Sequence, residues 1–384
     1  MSKAYLVSCS DHYDHRMRYW DRSLRALGLE TVYLTSDFSH SDKKPFCCAV
    51  PGCVQLHVPP YRRNLSLARI LSHRSFARQA AAYLRALPEP PAAVVCLVPP
   101  NFLCRELVRW RRRCPGSRLV FDLFDLWPET FPSSRLKRLL ALPFRIWSGL
   151  RDRNLGGADF VTAECGYFLR RLGRTGDRAR AVFFALPPYE GPEPEAAPLP
   201  RDRAVLGYLG AINHLIDIPR ITALIRALSA RLPVTLHVIG EGESRPAFCE
   251  AARDAGAEVV FHGKVYDEAE KHAVLAQCHF GLNIMKDSVC VGLTMKSVDY
   301  LRHGLPLLSS IGGDTAELLA AEGFGLPLRR PEETAAEAAR CIQSGTEPLR
   351  RAALDAFAAH FSSSQAEAAC TEVLAALLRP AEEA

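Results

Sequence analysis

The stretch from His279 to Leu318 holds the groups of this chain best suited to an anion. Phe280 to Met285 is a short apolar run and reads as a buried strand. The polar loop Lys286 to Val291 follows, and Gly292-Leu293-Thr294 leads into a helical pattern over Met295 to Arg302. Gly304 stops that helix, and Leu305-Pro306-Leu307-Leu308 begins another buried strand. That strand ends at Gly312-Gly313-Asp314-Thr315, where a further helix starts. Helix N-termini present free N–H groups and a partial positive charge, so these two junctions suit phosphate. Lys296 adds a full charge in the first turn of one helix, and Lys286 is a second cation nearby.

Asp125 is the other residue with an evident chemical use. Val120 to Glu129 reads VFDLFDLWPE, a strand that ends in an acid and then Trp127-Pro128-Glu129. A carboxylate at a strand end in an α/β fold can take the proton of an attacking hydroxyl. The alternative is that it merely caps the next helix while Trp127 fills the core. Glu129 suits the acceptor side, or simply the positive start of a helix. The turn after the first strand, Asp11-His12-Tyr13-Asp14-His15-Arg16, is polar and charged. His15 and Arg16 could orient an acceptor or hold a phosphate; a helix cap by Asp11 or Asp14 with solvated neighbours accounts for the run as well. Ser36 to His40 ends the second strand and shapes the same rim.

These groups need elements to hold them. Strands are expected over Ala4–Ser8, Thr31–Thr35, Val54–Val58, Ala92–Val98, Arg118–Phe124, Asp159–Ala163 and Ala179–Phe184, with helices over Asp14–Leu27, Leu65–Leu87 and Phe102–Arg113. A Pro-dense run from Pro187 to Pro200 interrupts the alternation. It resumes with strands at Val205–Leu209, Thr235–Ile239, Val259–Phe261, Phe280–Met285 and Leu305–Ser309. From Glu332 the chain is expected to be helical. Strands alternating with helices imply parallel sheets covered on both faces.

The 384 residues are 48% hydrophobic, enough for two cores. No apolar run is long enough to span a bilayer, and the N-terminus lacks signal-peptide anatomy. The 13 cysteines form no CxxC unit. Cys47, Cys48 and Cys53 have no second cluster at zinc spacing, so reduced thiols are expected. Charge is uneven: residues 1–189 carry a net +15 and the remainder −9. A basic half implies an anionic partner. Arg105 to Arg113 and Ser133 to Arg153 mix basic with large apolar residues, with Leu136, Leu139, Leu140, Phe144 and Trp147 able to share a face. Such segments lie on anionic membranes, or are domain helices with a wet arginine side.

Asp299-Tyr300-Leu301-Arg302-His303-Gly304-Leu305-Pro306 resembles the second half of the donor signature of GT-B glycosyltransferases, family-four type. That signature has two Glu eight residues apart; Asp299 stands at the second and Val291 at the first. GLTMKSVDY, Gly292 to Tyr300, resembles a capsule-polysaccharide-type subgroup. Asp125 to Glu129 resembles the Asp-Leu-Trp-Pro-Glu segment of bacterial enzymes of capsular and exopolysaccharide biosynthesis. Gly207 to Asn213, Ile239 to Glu243 and Phe261 to Val265 are similar to the family's donor-domain loops.

The resemblance implies the α/β GT-B fold: two Rossmann-like domains facing across a cleft, with a C-terminal helical tail. It implies an acceptor-binding domain over 1–188, a linker over 189–203 and a nucleotide-sugar domain over 204–360. A last helix over 361–384 would pack back on the first domain. It implies Asp125 as catalytic, with His15, Arg16 and Glu129 on the acceptor side. Gly210, Asn213, Gly240, Gly242, Lys286, Gly292, Thr294, Lys296 and Asp299 would bind the donor. The implied reaction moves a hexosyl group from a nucleotide diphosphate to a lipid-linked or polysaccharide acceptor. It uses no cofactor and no metal, because helix dipoles and cations stabilise the leaving group. The expected partners are nucleotide-sugar, acceptor and an anionic membrane at its cytoplasmic face, with no nucleic acid. An epimerase of the same fold and a non-catalytic nucleotide-sugar-binding subunit are the alternatives.

Overall fold

Buried β-branched runs such as Ala93-Val94-Val95-Cys96-Leu97-Val98, with every residue covered, can sit only in the middle of a sheet covered on both faces. The computed structural model describes residues 2–9, 14–64, 66–131, 139–174, 176–192 and 198–378, and of Asp14 the backbone alone. It contains two such sheets, all parallel. The chain divides into two units, 1–183 with 366–384, and 184–365.

In the first unit the strands are β1 (Lys3–Ser8), β2 (Glu30–Ser36), β3 (Val54–Leu56), β4 (Ala93–Val98), β5 (Arg118–Leu123), β6 (Phe160–Ala163) and β7 (Ala179–Ala181). Their order is β3-β2-β1-β4-β5-β6-β7, which reverses direction between β1 and β4. Around them lie α1 (Asp14–Ala26), α2 (Leu67–Ala86), α3 (Phe102–Arg111), α4 (Ala141–Asp152) and α5 (Gly166–Arg171). The last helix, Ser363–Leu378, joins this unit: Ser23 Oγ donates to Glu367 O at 3.0 Å and Arg118 Nε to Leu377 O at 2.8 Å.

In the second unit the strands are β8 (Ala204–Leu209), β9 (Val234–Ile239), β10 (Ala257–Gly263), β11 (Phe280–Asn283), β12 (Leu307–Ser309) and β13 (Gly325–Pro327). The order β10-β9-β8-β11-β12-β13 reverses between β8 and β11. Tyr208, Leu236, Phe280 and Leu282 from the sheet pack with Ile221, Leu224 and Phe248 from its helices. β13 was not expected; its three residues, Gly325-Leu326-Pro327, are too short to show a period. The start of the Pro-rich run belongs here, because Tyr189 stacks on His272 with ring centroids 4.1 Å apart. The division between units therefore falls at 183/184, earlier than the expected 188/189.

One buried ion pair fastens the first sheet to its helix. Arg16 on α1 donates from Nε and Nη2 to the two oxygens of Asp122 on β5, both at 2.6 Å, and from Nη1 to Val182 O at 2.7 Å. Trp20 Nε1 and Thr162 Oγ1 complete the carboxylate's shell at 2.8 and 2.6 Å. Burial works against the guanidinium charge, and Asp122 more than restores it. Asp122→Asn takes the paired carboxylate away from that buried cation. We expect it to lower the unfolding free energy by about 3–5 kcal/mol, read from urea melts of the two chains.

Candidate functional site

The second unit places its anion binders where the strand order reverses, the position at which doubly wound sheets hold ligands. β8 delivers Tyr208 and then Gly210, whose φ of 110° suits a residue without Cβ. β11 delivers the loop to the helix Met295–Arg302. Thr294 caps that helix: its hydroxyl accepts from Ser297 N at 3.1 Å and from Asn283 Nδ2 at 3.0 Å. Gly292 O accepts both the N–H and the hydroxyl of Thr315, each at 2.8 Å, which ties the two helix starts together.

Lys296 reaches across from this helix to the end of β8. Its ammonium lies 4.3 Å from the Tyr208 ring centroid and donates to the Tyr208 hydroxyl at 3.2 Å. Its Cε sits 3.8 Å from where a Cβ on Gly210 would stand. Among the described residues no carboxylate pairs with it. Burial pulls its pKa down to about 8. A desolvated cation without a counter-ion, beside a capped helix start and a glycine turn, favours an anionic ligand.

The other expected donor residues are placed differently. A Cβ on Gly240 would stand 1.9 Å from Gly210 O, and one on Gly242 2.2 Å from Ile212 O. The close approach these glycines permit is thus made by the neighbouring loop. Asn213 Oδ1 accepts from Leu215 N at 3.0 Å, a turn-forming bond. Lys286 is exposed and donates to His214 O at 2.7 Å. Asp299, expected at the donor, instead binds Lys271 Nζ at 2.9 Å and faces His303 Nε2 at 3.4 Å. Burial raises its pKa, but His303 and Lys271 outweigh that and hold it below the usual carboxylate range.

In the first unit Asp125 lies just past β5, half-buried, with Thr130 Oγ1 donating to it at 2.6 Å. Burial pushes its pKa up against the bonds from Thr130 and the Leu126 backbone. Glu164 lies just past β6, the strand paired with β5. It was missed in the sequence, although the strand-end rule that singles out Asp125 applies to it equally. Burial raises its pKa to about 7; Arg16 opposes this, while Asp125 and Asp122 add to it. The two acids stand on adjacent strand ends, both held toward the protonated form, and Glu164 can accept a proton near neutral pH.

Two acceptor-side expectations are corrected. Arg16 is 1% exposed and bound to Asp122, so it holds the sheet and cannot touch a substrate. Glu129 pairs with Arg151, whose Nη2 and Nη1 donate to it at 2.7 and 3.0 Å. Arg151 is fully buried, so Glu129 supplies its counter-charge. His15 is half-buried, edge-on to Tyr19 at 6.3 Å. Asp11, His12 and Tyr13, and 132–138 of the basic segment, lie outside the described residues.

Residues 203–344 match the model of the family described as Glycosyl transferases group 1. No curated protein matches the chain in sequence. Among solved structures it is similar to the lipopolysaccharide outer core galactosyltransferase WaaB, with TM-score 0.64 and 13% identity over 98% of this chain and 99% of that one. It is similar to HepE of Anabaena, solved with UDP and glucose, with TM-score 0.62 and 15% identity over 98% and 100%. An E. coli structure titled trehalose-6-phosphate, bound with UDP-2-fluoro glucose, gives TM-score 0.63 and 12% identity over 97% and 99%. The chain has the GT-B glycosyltransferase fold. Its second unit contains the group 1 glycosyltransferase segment.

Gly240→Ala drives a methyl into the Gly210 carbonyl and also strains a residue with φ of 141°. We expect a loss of about 1–3 kcal/mol in unfolding free energy. Nucleotide affinity should fall with it, since Gly210 moves; calorimetric titration with UDP checks this.

Proposed function

We propose that the chain transfers a hexosyl group from a nucleotide-diphosphate sugar to a lipid-linked or polysaccharide acceptor at the cytoplasmic face of a membrane. The observation that carries this reading is Lys296, desolvated and with no carboxylate partner among the described residues, inside the group 1 glycosyltransferase segment. In the bound state the diphosphate takes the place of the missing counter-ion. Its charge grows as the glycosidic bond breaks, so the ammonium and the amides at Thr294 to Ser297 stabilise the transition state more than the ground state. The UDP-containing ligands named for HepE and the E. coli structure support a uridine donor.

Asp125 takes the acceptor hydroxyl's proton, and Glu164 shares the charge beside it. A membrane-bound acceptor is supported by the first half's net charge of +15. It is also supported by bare apolar side chains on two helices: Leu67 and Leu71 of α2, 78% and 57% exposed, and Leu142 and Ile146 of α4, 69% and 57% exposed. The exposed Arg74 and Arg145 stand on the same helices. Arg69 over the Trp127 ring at 5.2 Å, and Trp127 at 6.0 Å from Trp147, link α2 to α4. Apolar side chains flanked by arginine suit an anionic lipid surface.

The test incubates the protein with UDP-, GDP- and TDP-sugars and membrane extract, following released nucleotide and label in lipid. Lys296→Met should weaken UDP binding by about tenfold to a hundredfold, since a charge-assisted bond is lost. Asp125→Asn should leave UDP binding intact and lower kcat by about 10²–10⁴. Wild-type transfer should fall as pH drops through about 7, because Glu164 takes up a proton there. Glu164→Gln should flatten that fall. Isomerised nucleotide sugar with no acceptor product would favour an epimerase. Full transfer by both the Lys296 and Asp125 variants would overturn the reading.

A further inference from the structure

Away from the donor lysine and the strand-end acids, three side chains from distant segments of the first unit converge. Cys9 follows β1, His40 lies past the end of β2, and His73 is on α2. Cys9 Sγ stands 3.2 Å from His40 Nε2. One ligand atom from each of the three lies within 4.8 Å of the others. Cys9 is 2% exposed and His73 is 3% exposed. His73 Nδ1 is buried with no hydrogen-bond partner. Leaving a buried ring nitrogen unpaired is unfavourable, and a bound cation removes that cost. On the far side of His40, Nδ1 contacts the Tyr61 hydroxyl. A second partner of this kind fixes a metal-binding imidazole in its tautomer and aims the opposite nitrogen, here Nε2, at the metal.

We propose that Cys9, His40 and His73 bind one thiophilic divalent metal ion of the zinc class, through Sγ, Nε2 and Nδ1. Tetrahedral zinc, with bonds of about 2.0–2.3 Å, sets neighbouring ligand atoms about 3.5 Å apart. The Cys9–His40 spacing is already near that value, and His73 closes by a small side-chain shift. The thiol proton leaves to solvent on binding, and the thiolate offsets one of the two metal charges. A fourth position remains for water. Two cations oppose the ion: Arg69, whose Nε donates to His73 Nε2 at 3.4 Å, and Lys43, over the Tyr61 ring at 4.9 Å. Arg69 turns away when His73 binds through Nδ1, and the affinity is below that of a four-ligand structural site. The ion ties the ends of β1 and β2 to α2; no step of sugar transfer is routed through it.

The full chain, stripped with chelator, is titrated with Co²⁺ alone and then with Zn²⁺. We expect one Co²⁺ per chain, a thiolate-to-cobalt charge-transfer band in the near ultraviolet, its loss on adding Zn²⁺, and a higher Tm with Zn²⁺. Cys9→Ser should abolish the band and the Tm rise, although Cys47, Cys48 and Cys53 remain. His40→Gln is the second variant, so a Cys9→Ser chain that fails to fold leaves the test intact. No band at one equivalent, or the same band in both variants, overturns the proposal.

Discussion

A lysine withdrawn from water with no carboxylate beside it is unfavourable, and the second unit is arranged around that condition. Lys296 reaches its position because Thr294 starts a helix there and Gly210 leaves room at the end of β8. Gly210 in turn is fixed by Gly240, whose bare Cα lets the two loops touch. Replacing any one of these shifts the ammonium. The depressed pKa follows from burial, and on our proposal a diphosphate supplies the counter-charge.

The first unit treats charge in the opposite way. Arg16 with Asp122 and Arg151 with Glu129 are closed pairs: each buried cation meets its carboxylate inside the protein. Closed pairs hold the sheet and its helices in place. Asp125 and Glu164 are left over at the strand ends, where burial raises the pKa of both and brings that of Glu164 to about 7. The distinction between structural and reactive charge thus rests on whether the partner is already present.

The alternation of strands and helices was legible because buried parallel strands read as continuous apolar runs and helices start at clear caps. The helix Met295–Arg302 was read correctly to the residue. β13 was not, being too short to carry a period. The place of Lys296 in the first turn was legible from the same pattern. Arg16 and Glu129 were read as site residues because a polar turn and a Trp-Pro-Glu run look alike whether the charge faces solvent or a buried partner. Their partners, Asp122 and Arg151, lie 106 and 22 residues away, so no local pattern reveals them. Cys9, His40 and His73 escaped for the same reason: their separations match no compact ligand motif.

The most direct test of the central claim is a crystal structure of the chain with UDP bound. The account predicts phosphate oxygens within hydrogen-bond distance of Lys296 Nζ and of the backbone N–H groups that open the helix Met295–Arg302. Nucleotide bound elsewhere, or bound there with the Lys296 ammonium still on Tyr208 and away from phosphate, would contradict it.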